Sequence, residues 1–169
     1  VSVWSDHATP STIEGCDFVR NQDTALYMPG HDGSVIRNCR FVENYDDYDG
    51  GGADISGENL LVDSCLFYGN IAVEGGGGLI LNGDGEIVDS IFAGCRVDPT
   101  HSDFRGGGLL FLNHSDDDPS KVINCLFVNG YSGYVGGGLW LSVYNAHATG
   151  MLQLENCTIA NNVTAGVGG

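Results

Sequence analysis

The feature that most constrains this chain is a unit repeated about six times. Gly136-Gly137-Gly138-Leu139-Trp140-Leu141 is followed by Leu154-Glu155-Asn156-Cys157-Thr158-Ile159. The same pair of phrases occurs upstream: Gly106-Gly107-Gly108-Leu109-Leu110-Phe111 with Val122-Ile123-Asn124-Cys125-Leu126-Phe127, and Gly76-Gly77-Gly78-Leu79-Ile80-Leu81 with Ile87-Val88-Asp89-Ser90-Ile91-Phe92. Gly50-Gly51-Gly52-Ala53 pairs with Val62-Asp63-Ser64-Cys65-Leu66-Phe67, and two worn copies surround Cys39 and Cys16. Along the Cys column, with Ser90 substituting once, the steps are 23, 26, 25, 35 and 32 residues. A period in this range means stacked supersecondary units that bury a shared core only when several are present. The expected architecture is an all-β solenoid of about six coils, one domain over residues 1–169.

Parity gives the expected shape of a coil. Strand side chains alternate faces, so Leu139 and Leu141 share one, as do Cys39 and Phe41. An aliphatic residue stands three before each Cys position: Ile13, Ile36, Val62, Ile87, Val122 and Leu154. Three is odd, so the chain must turn between them if both point inward. The residue before the Cys is Gly15, Asn38, Ser64, Asp89, Asn124 or Asn156, types that tolerate a left-handed corner or favour turns. Three strands per coil follow: Leu-x-Leu, the aliphatic strand and Cys-x-Phe, with a corner between each. Asn21, Asn44, Asn70, Cys95, Gly130 and Asn162 stand three after each Phe position, where stacked amides can bond as a ladder.

These residues resemble the right-handed parallel β-helix of pectin-lyase-like proteins. More narrowly, Gly-Gly-Gly-Leu/Ala and Phe-x-x-Asn are similar to the paired repeats of polymorphic outer-membrane proteins. The resemblance covers nearly the whole chain and departs where Asp23-Thr24-Ala25 replaces the glycines and Cys95 replaces Asn. It implies a surface-displayed, often adhesive module, without the membrane barrel that ends such proteins. Pectin-lyase-like enzymes combine a carboxylate cluster, often with calcium, and a basic residue. Here Arg20, Arg37 and Arg40 lie on early coils, and Asp116, Asp117 and Asp118 on a late one. No acid pair and base converge, so no catalytic activity is expected.

Net charge is −16, from 22 acids and 6 bases, which excludes phosphate-backbone binding, so no nucleic-acid partner is expected. No apolar run reaches 18 residues, and no membrane insertion is expected. The chain opens at Val1 without a signal peptide, as expected of a processed secreted chain or an excised piece. Six cysteines with no C-x-x-C pair argue against zinc, and in-register neighbours are too far apart for relaxed disulfides. Buried thiols are expected.

Calcium is the expected ion if there is one, with Asp116, Asp117 and Asp118 the preferred ligands. Asp46/Asp47/Asp49 and Asn82/Asp84/Glu86 are further acidic turns. His7, His31, His114 and His147 fall in one corner, where chance placement in polar loops explains them. Asn113 and Asn162 are glycosylation acceptors in a secreted setting. A sugar-binding face would need converging aromatics and an Arg, and none is legible.

The functional expectation is a secreted or cell-surface structural protein that stacks head to tail into a filament or surface layer. The alternative is a carbohydrate-binding or carbohydrate-cleaving β-helix, or a fragment of a long adhesin, with cell-surface polysaccharide as partner. In a head-to-tail joint, Leu139, Leu141, Leu154, Cys157 and Ile159 would stack on Val1, Val3, Ile13, Cys16 and Phe18 of the next copy. The Cys157-to-Cys16 step across it would be 28 residues, inside the observed range. Such a contact is heterologous and propagates.

Overall fold

A computed structural model describes residues 9–98, 105–113, 120–143 and 152–166. All strand pairing in it is parallel, and each strand pairs with its equivalent one coil away. Three sheets form the walls of the solenoid. The second sheet shows the coil count plainly, with six strands from Asp17–Val19 through Arg40–Val42, Leu66–Tyr68, Ile91–Ala93 and Leu126–Val128 to Thr158–Ala160.

The corner before each Cys is where parity requires it. Gly15, Asn38, Ser64, Asp89, Asn124 and Asn156 all have φ between 51° and 63°. Ile36, Val62, Ile87 and Val122 therefore point inward before the turn, and Phe41, Phe67, Phe92 and Phe127 after it, all at 2% exposure or less. The five column Phe rings, beginning with Phe18, stack with centroids 4.7–4.8 Å apart and planes within 9° of parallel. That spacing is the interstrand distance itself, so the rings sit in strict register. Burying a ring in each layer contributes on the order of 2 kcal/mol per Phe.

Two features of the coil differ from the sequence expectation. Leu-x-Leu and the aliphatic segment do not form separate walls. In coils three and four they are one bent strand, Ala53–Asp63 and Leu79–Val88, with a register shift between Gly83 and Gly85. Longer excursions split this wall elsewhere, as between Leu109–Asn113 and Ser120–Ile123. The third wall instead follows the Asn ladder: Tyr45–Asp46, Ile71–Ala72, Arg96–Val97, Tyr131–Ser132 and Val163–Thr164. Two-residue strands carry no readable period. Their inward column also mixes Asp46, Ala72, Val97 and Ser132, so no hydrophobic pattern marks it.

The glycine triplets serve two purposes. Gly76 turns the corner with φ 56°, as Asp23 does at φ 69° in the coil that lacks the triplet. Gly78 is different, because a Cβ there would overlap the Gly108 carbonyl oxygen of the next coil. The triplet therefore marks close coil-to-coil contact as well as a turn.

The amide ladder forms as expected. Asn21 Nδ2 donates to Asn44 Oδ1 at 2.8 Å, and Asn44 Nδ2 to Asn70 Oδ1 at 2.9 Å. Each amide also ties down the preceding coil: Asn44 Nδ2 donates to Phe18 O at 3.0 Å, and Asn70 Nδ2 to Phe41 O at 2.8 Å. Cys95 keeps this second function by donating to Phe67 O at 3.4 Å.

Candidate functional site

The residues expected at the joint fall into two end layers. At the first end, Ile13 is half-buried, Cys16 is exposed and Phe18 is 8% exposed, around an open hollow of about 500 Å³ that reaches Asn21 and Leu26. At the other end Leu154 is 43% and Ile159 48% exposed, while Leu139, Leu141 and Cys157 are half-buried. The same columns are closed in the interior coils, where Val62 and Phe67 are at most 1% exposed. Val1 and Val3 lie outside the described residues. Ile13, Cys16, Phe18 and Asn21 at one end thus occupy the columns of Leu154, Cys157, Ile159 and Asn162 at the other.

The six cysteines are all unpaired. Each column thiol donates to the carbonyl two residues earlier: Cys39 to Arg37 at 3.2 Å, Cys65 to Asp63 at 3.3 Å and Cys125 to Ile123 at 3.2 Å. Ser90 makes the same bond to Val88 at 2.8 Å, which explains why it substitutes there. Burial of Cys39, Cys65, Cys95 and Cys125 agrees with the expectation, whereas the end members Cys16 and Cys157 are not fully covered. Loss of water pushes the Cys65 thiol up to about 12, and those of Cys95 and Cys125 to about 11.

Asp116, Asp117 and Asp118 lie outside the described residues, as do His7, His114 and His147. The two other acidic turns are engaged in structural contacts. Asp46 is buried and accepts from Thr24 Oγ1 at 2.8 Å and from the Tyr48 amide. Asp47 accepts from the Tyr45 hydroxyl at 2.7 Å. Asp84 accepts from the Asn59 amide, and Glu86 pairs with Lys121 at 2.8 Å. Among the described residues no three His, Cys, Asp or Glu are grouped to hold a metal. His31 is buried, with Nδ1 3.3 Å from Ser11 Oγ.

The arginines that could have served as bases bind neighbouring coils instead. Arg20 pairs with Glu43 at 2.8 Å, Arg37 with Glu14 at 2.9 Å and Arg40 with Asp17 at 3.2 Å. These are exposed pairs, screened by solvent, and contribute little to stability. Both glycosylation candidates are committed elsewhere. Asn162 Nδ2 donates to Phe127 O at 2.9 Å and its Oδ1 accepts from Gly130 N at 2.8 Å. Asn113 is fully buried, so a glycan there needs local opening.

One arrangement was missed in the sequence. Tyr27, Asp54, Ile80, Leu110 and Trp140 form a single outward row across the first wall. Arg105, in the adjacent register, lies over the Trp140 ring at 5.4 Å from its centroid. One aromatic and one Arg meet here, in a row whose Ile80 and Leu110 are buried, which is less than the several converging aromatics on an open face that a sugar site would need. In the same row burial, reinforced by Asp49 and Asp46, raises the Asp54 carboxyl to about 6. Asp49 is raised to about 6 by burial and by Glu74 and Asp46. The signal that could have found the pair is the x position of Leu-x-Leu, which changes from Asp54 to Ile80, Leu110 and Trp140.

Residues 2–149 match the family model described as the right handed beta helix region. The chain belongs to this right-handed β-helix family. No curated protein and no solved structure is similar enough to count as a match. Membership of the β-helix family fixes the fold and leaves activity open. Among the described residues no helix is long and apolar enough to cross a membrane.

Proposed function

We propose that this β-helix is a non-catalytic structural unit of an extracellular filament or surface layer, joined end to end to a second copy of itself. The observation that carries this reading is the pair of open end layers. Leu154 is 43% and Ile159 48% exposed, although their columns are closed further inside the solenoid. The opposite layer continues the same columns with Ile13, Cys16, Phe18 and Asn21, so one coil laid on another extends the Phe stack and the amide ladder. Parallel strand edges left open in this way are templates for pairing. The proposed setting is secreted or cell-surface, in line with the charge of −16. Calcium bound by Asp116, Asp117 and Asp118 is part of the proposal, and millimolar calcium should raise the melting temperature; an unchanged value removes the ion from it.

The joint is tested by light scattering and negative-stain imaging of the native chain beside Ile159→Asp and Ile13→Asp. Rods from the native protein and folded monomers from both variants support it. A native protein that stays monomeric at high concentration overturns it, as does native material in which one longer polypeptide supplies the covering coil. Arg105 over Trp140, with Asp54 and Tyr27 in the same row, favours a second reading: a polysaccharide-binding face on the first wall. Trp140→Ala should then abolish retention on cell-surface polysaccharide while leaving rods intact.

A further inference from the structure

We infer that the outer corner between the second and third walls, at coils three and four, is a binding site for a neutral polysaccharide. This corner is a column of left-handed residues, Arg20, Glu43, Gly69, Gly94, Asn129 and Asn161, all with φ between 53° and 63°. Four of the six carry side chains at that angle, so the backbone does not demand glycine in this column. Glycine nevertheless stands in two successive coils, and a Cβ at Gly94 would meet nothing within 4 Å. The missing side chains leave an open hollow of about 400 Å³, with Tyr68 on one flank, Ile71 and Arg96 on the other, and Glu43 and Asn129 at its ends. Strand register sets these residues on consecutive coils, so the hollow runs along the solenoid axis for three coil steps, about 14 Å.

The side chains around the hollow define the chemistry of its occupant. Tyr68 is 50% exposed and offers an aromatic surface. Arg96 is exposed as well, and it differs from every other base in the chain. Arg20, Arg37, Arg40 and Lys121 each pair with a carboxylate, and Arg105 lies over Trp140, whereas Arg96 has neither kind of partner. Tyr131, half-buried, stands next to Arg96 in register, so aromatics on both walls flank an unpaired guanidinium, which the Trp140 row does not offer. A cation is repelled by Arg96. An anion meets the field of a chain at −16 and the Glu43 carboxylate, whose Oε2 is held by Arg20 at 2.8 Å. A wholly apolar ligand would leave the guanidinium and the Asn129 amide unmatched at the contact. A neutral pyranose satisfies the whole set: its C–H face packs on an aromatic ring, while adjacent hydroxyls accept from the Arg96 N–H fork and donate to Glu43. Neither the end layers nor the Trp140 row contributes to this hollow, so the site depends on neither reading above.

Affinity electrophoresis of the native 169-residue chain, through gels containing β-glucan, galactomannan or polygalacturonate, tests the assignment. Retardation by a neutral polymer, and none by the acidic one, is the expected result. Tyr68→Ala and Arg96→Ala should each weaken binding about tenfold, read from mobility across a range of polymer concentrations. Gly94→Asn fills the hollow with the residue type already tolerated in this column at Asn129, so it should abolish retardation in a chain whose folding is checked by circular dichroism and urea unfolding. Trp140→Ala is the control and should leave retardation unchanged. Retardation by neither neutral polymer overturns the proposal, as does equal or stronger retardation by polygalacturonate. Binding that survives Tyr68→Ala, Arg96→Ala and Gly94→Asn also overturns it, and its loss in Trp140→Ala alone would move the sugar to the first wall.

Discussion

Replacing Asn44 by alanine is the sharpest perturbation of the column that holds the coils in register. Asn44 is fully buried, and its amide bonds both neighbouring coils. Its Nδ2 donates to Phe18 O at 3.0 Å, and its Oδ1 accepts from the Asn21 amide at 3.0 Å and from Asn21 Nδ2 at 2.8 Å. Alanine removes the side-chain donor to the Phe18 carbonyl, leaves the Asn21 backbone and side-chain N–H groups without their Asn44 acceptor, and opens space beneath Asn70. At about 1–3 kcal/mol for each stranded buried group, the loss should be about 3 kcal/mol, or about 6–12 °C in melting temperature for a chain of this size. The chain already contains the control, because Cys95 occupies the same column and still donates to the carbonyl one coil back. Asn44→Cys should therefore cost about half as much as Asn44→Ala. Cys95→Asn should stabilise by about 1 kcal/mol, since Gly78 leaves its side chain the room that Gly52 leaves Asn70. Urea unfolding followed by circular dichroism and Phe/Trp fluorescence measures all three. Asn44→Ala within about 0.5 kcal/mol of the native chain would refute the ladder as a source of stability, and so would a Cys variant as damaging as Ala.

Asp49 and Asp54, both raised to about 6, bind protons more tightly when folded than when unfolded, where a carboxyl titrates near 4. Their contribution is therefore complete below about pH 4 and is lost as pH rises through about 6. The stability gap between Asp54→Asn and the native chain should shift by about 1–3 kcal/mol in favour of the variant from pH 4.5 to 7.5, after allowance for partial exposure; a constant gap contradicts the burial argument. In the unassembled chain Cys16 should react first with a maleimide, with Cys39, Cys65, Cys95 and Cys125 reacting only on unfolding, since burial suppresses their thiolates. Mass spectrometry after brief labelling decides this, and early modification of Cys65 would contradict it. Gly94→Ala, at φ 63° with open space around it, should cost about 1–2 kcal/mol in urea unfolding. Gly78→Ala should cost clearly more, because its Cβ meets the Gly108 carbonyl. Equal costs would show that coil spacing adjusts freely.

What the sequence made legible is what recurs with one chemistry. The Phe column, the Cys/Ser column and the corner before it could be read because every coil repeats them, and parity turned their spacing into inward and outward faces. The third wall was not legible, because Asp46, Ala72, Val97 and Ser132 share a column without sharing a polarity. A second column of left-handed corners, at Arg20, Glu43, Gly69, Gly94, Asn129 and Asn161, was hidden for the same reason: Arg and Glu are not turn types. The Arg105–Trp140 pair depends on register between residues 35 positions apart, and only stacking brings them together. The Cys column read as hydrophobic filling and proved also to cap the corner carbonyls, as its replacement by Ser90 shows.

The central claim, that coil stacks on coil across the joint, is tested most directly by the axial rise per subunit in an assembled rod. Six coils at about 4.8 Å give about 29 Å if the columns ending in Ile159 and Asn162 of one copy continue in register onto Phe18 and Asn21 of the next. Helical reconstruction from electron micrographs should show that rise, with continuous strand density at the joint. A rise several ångströms longer, a gap in the strand density, or no rods from the native chain at any concentration would contradict it.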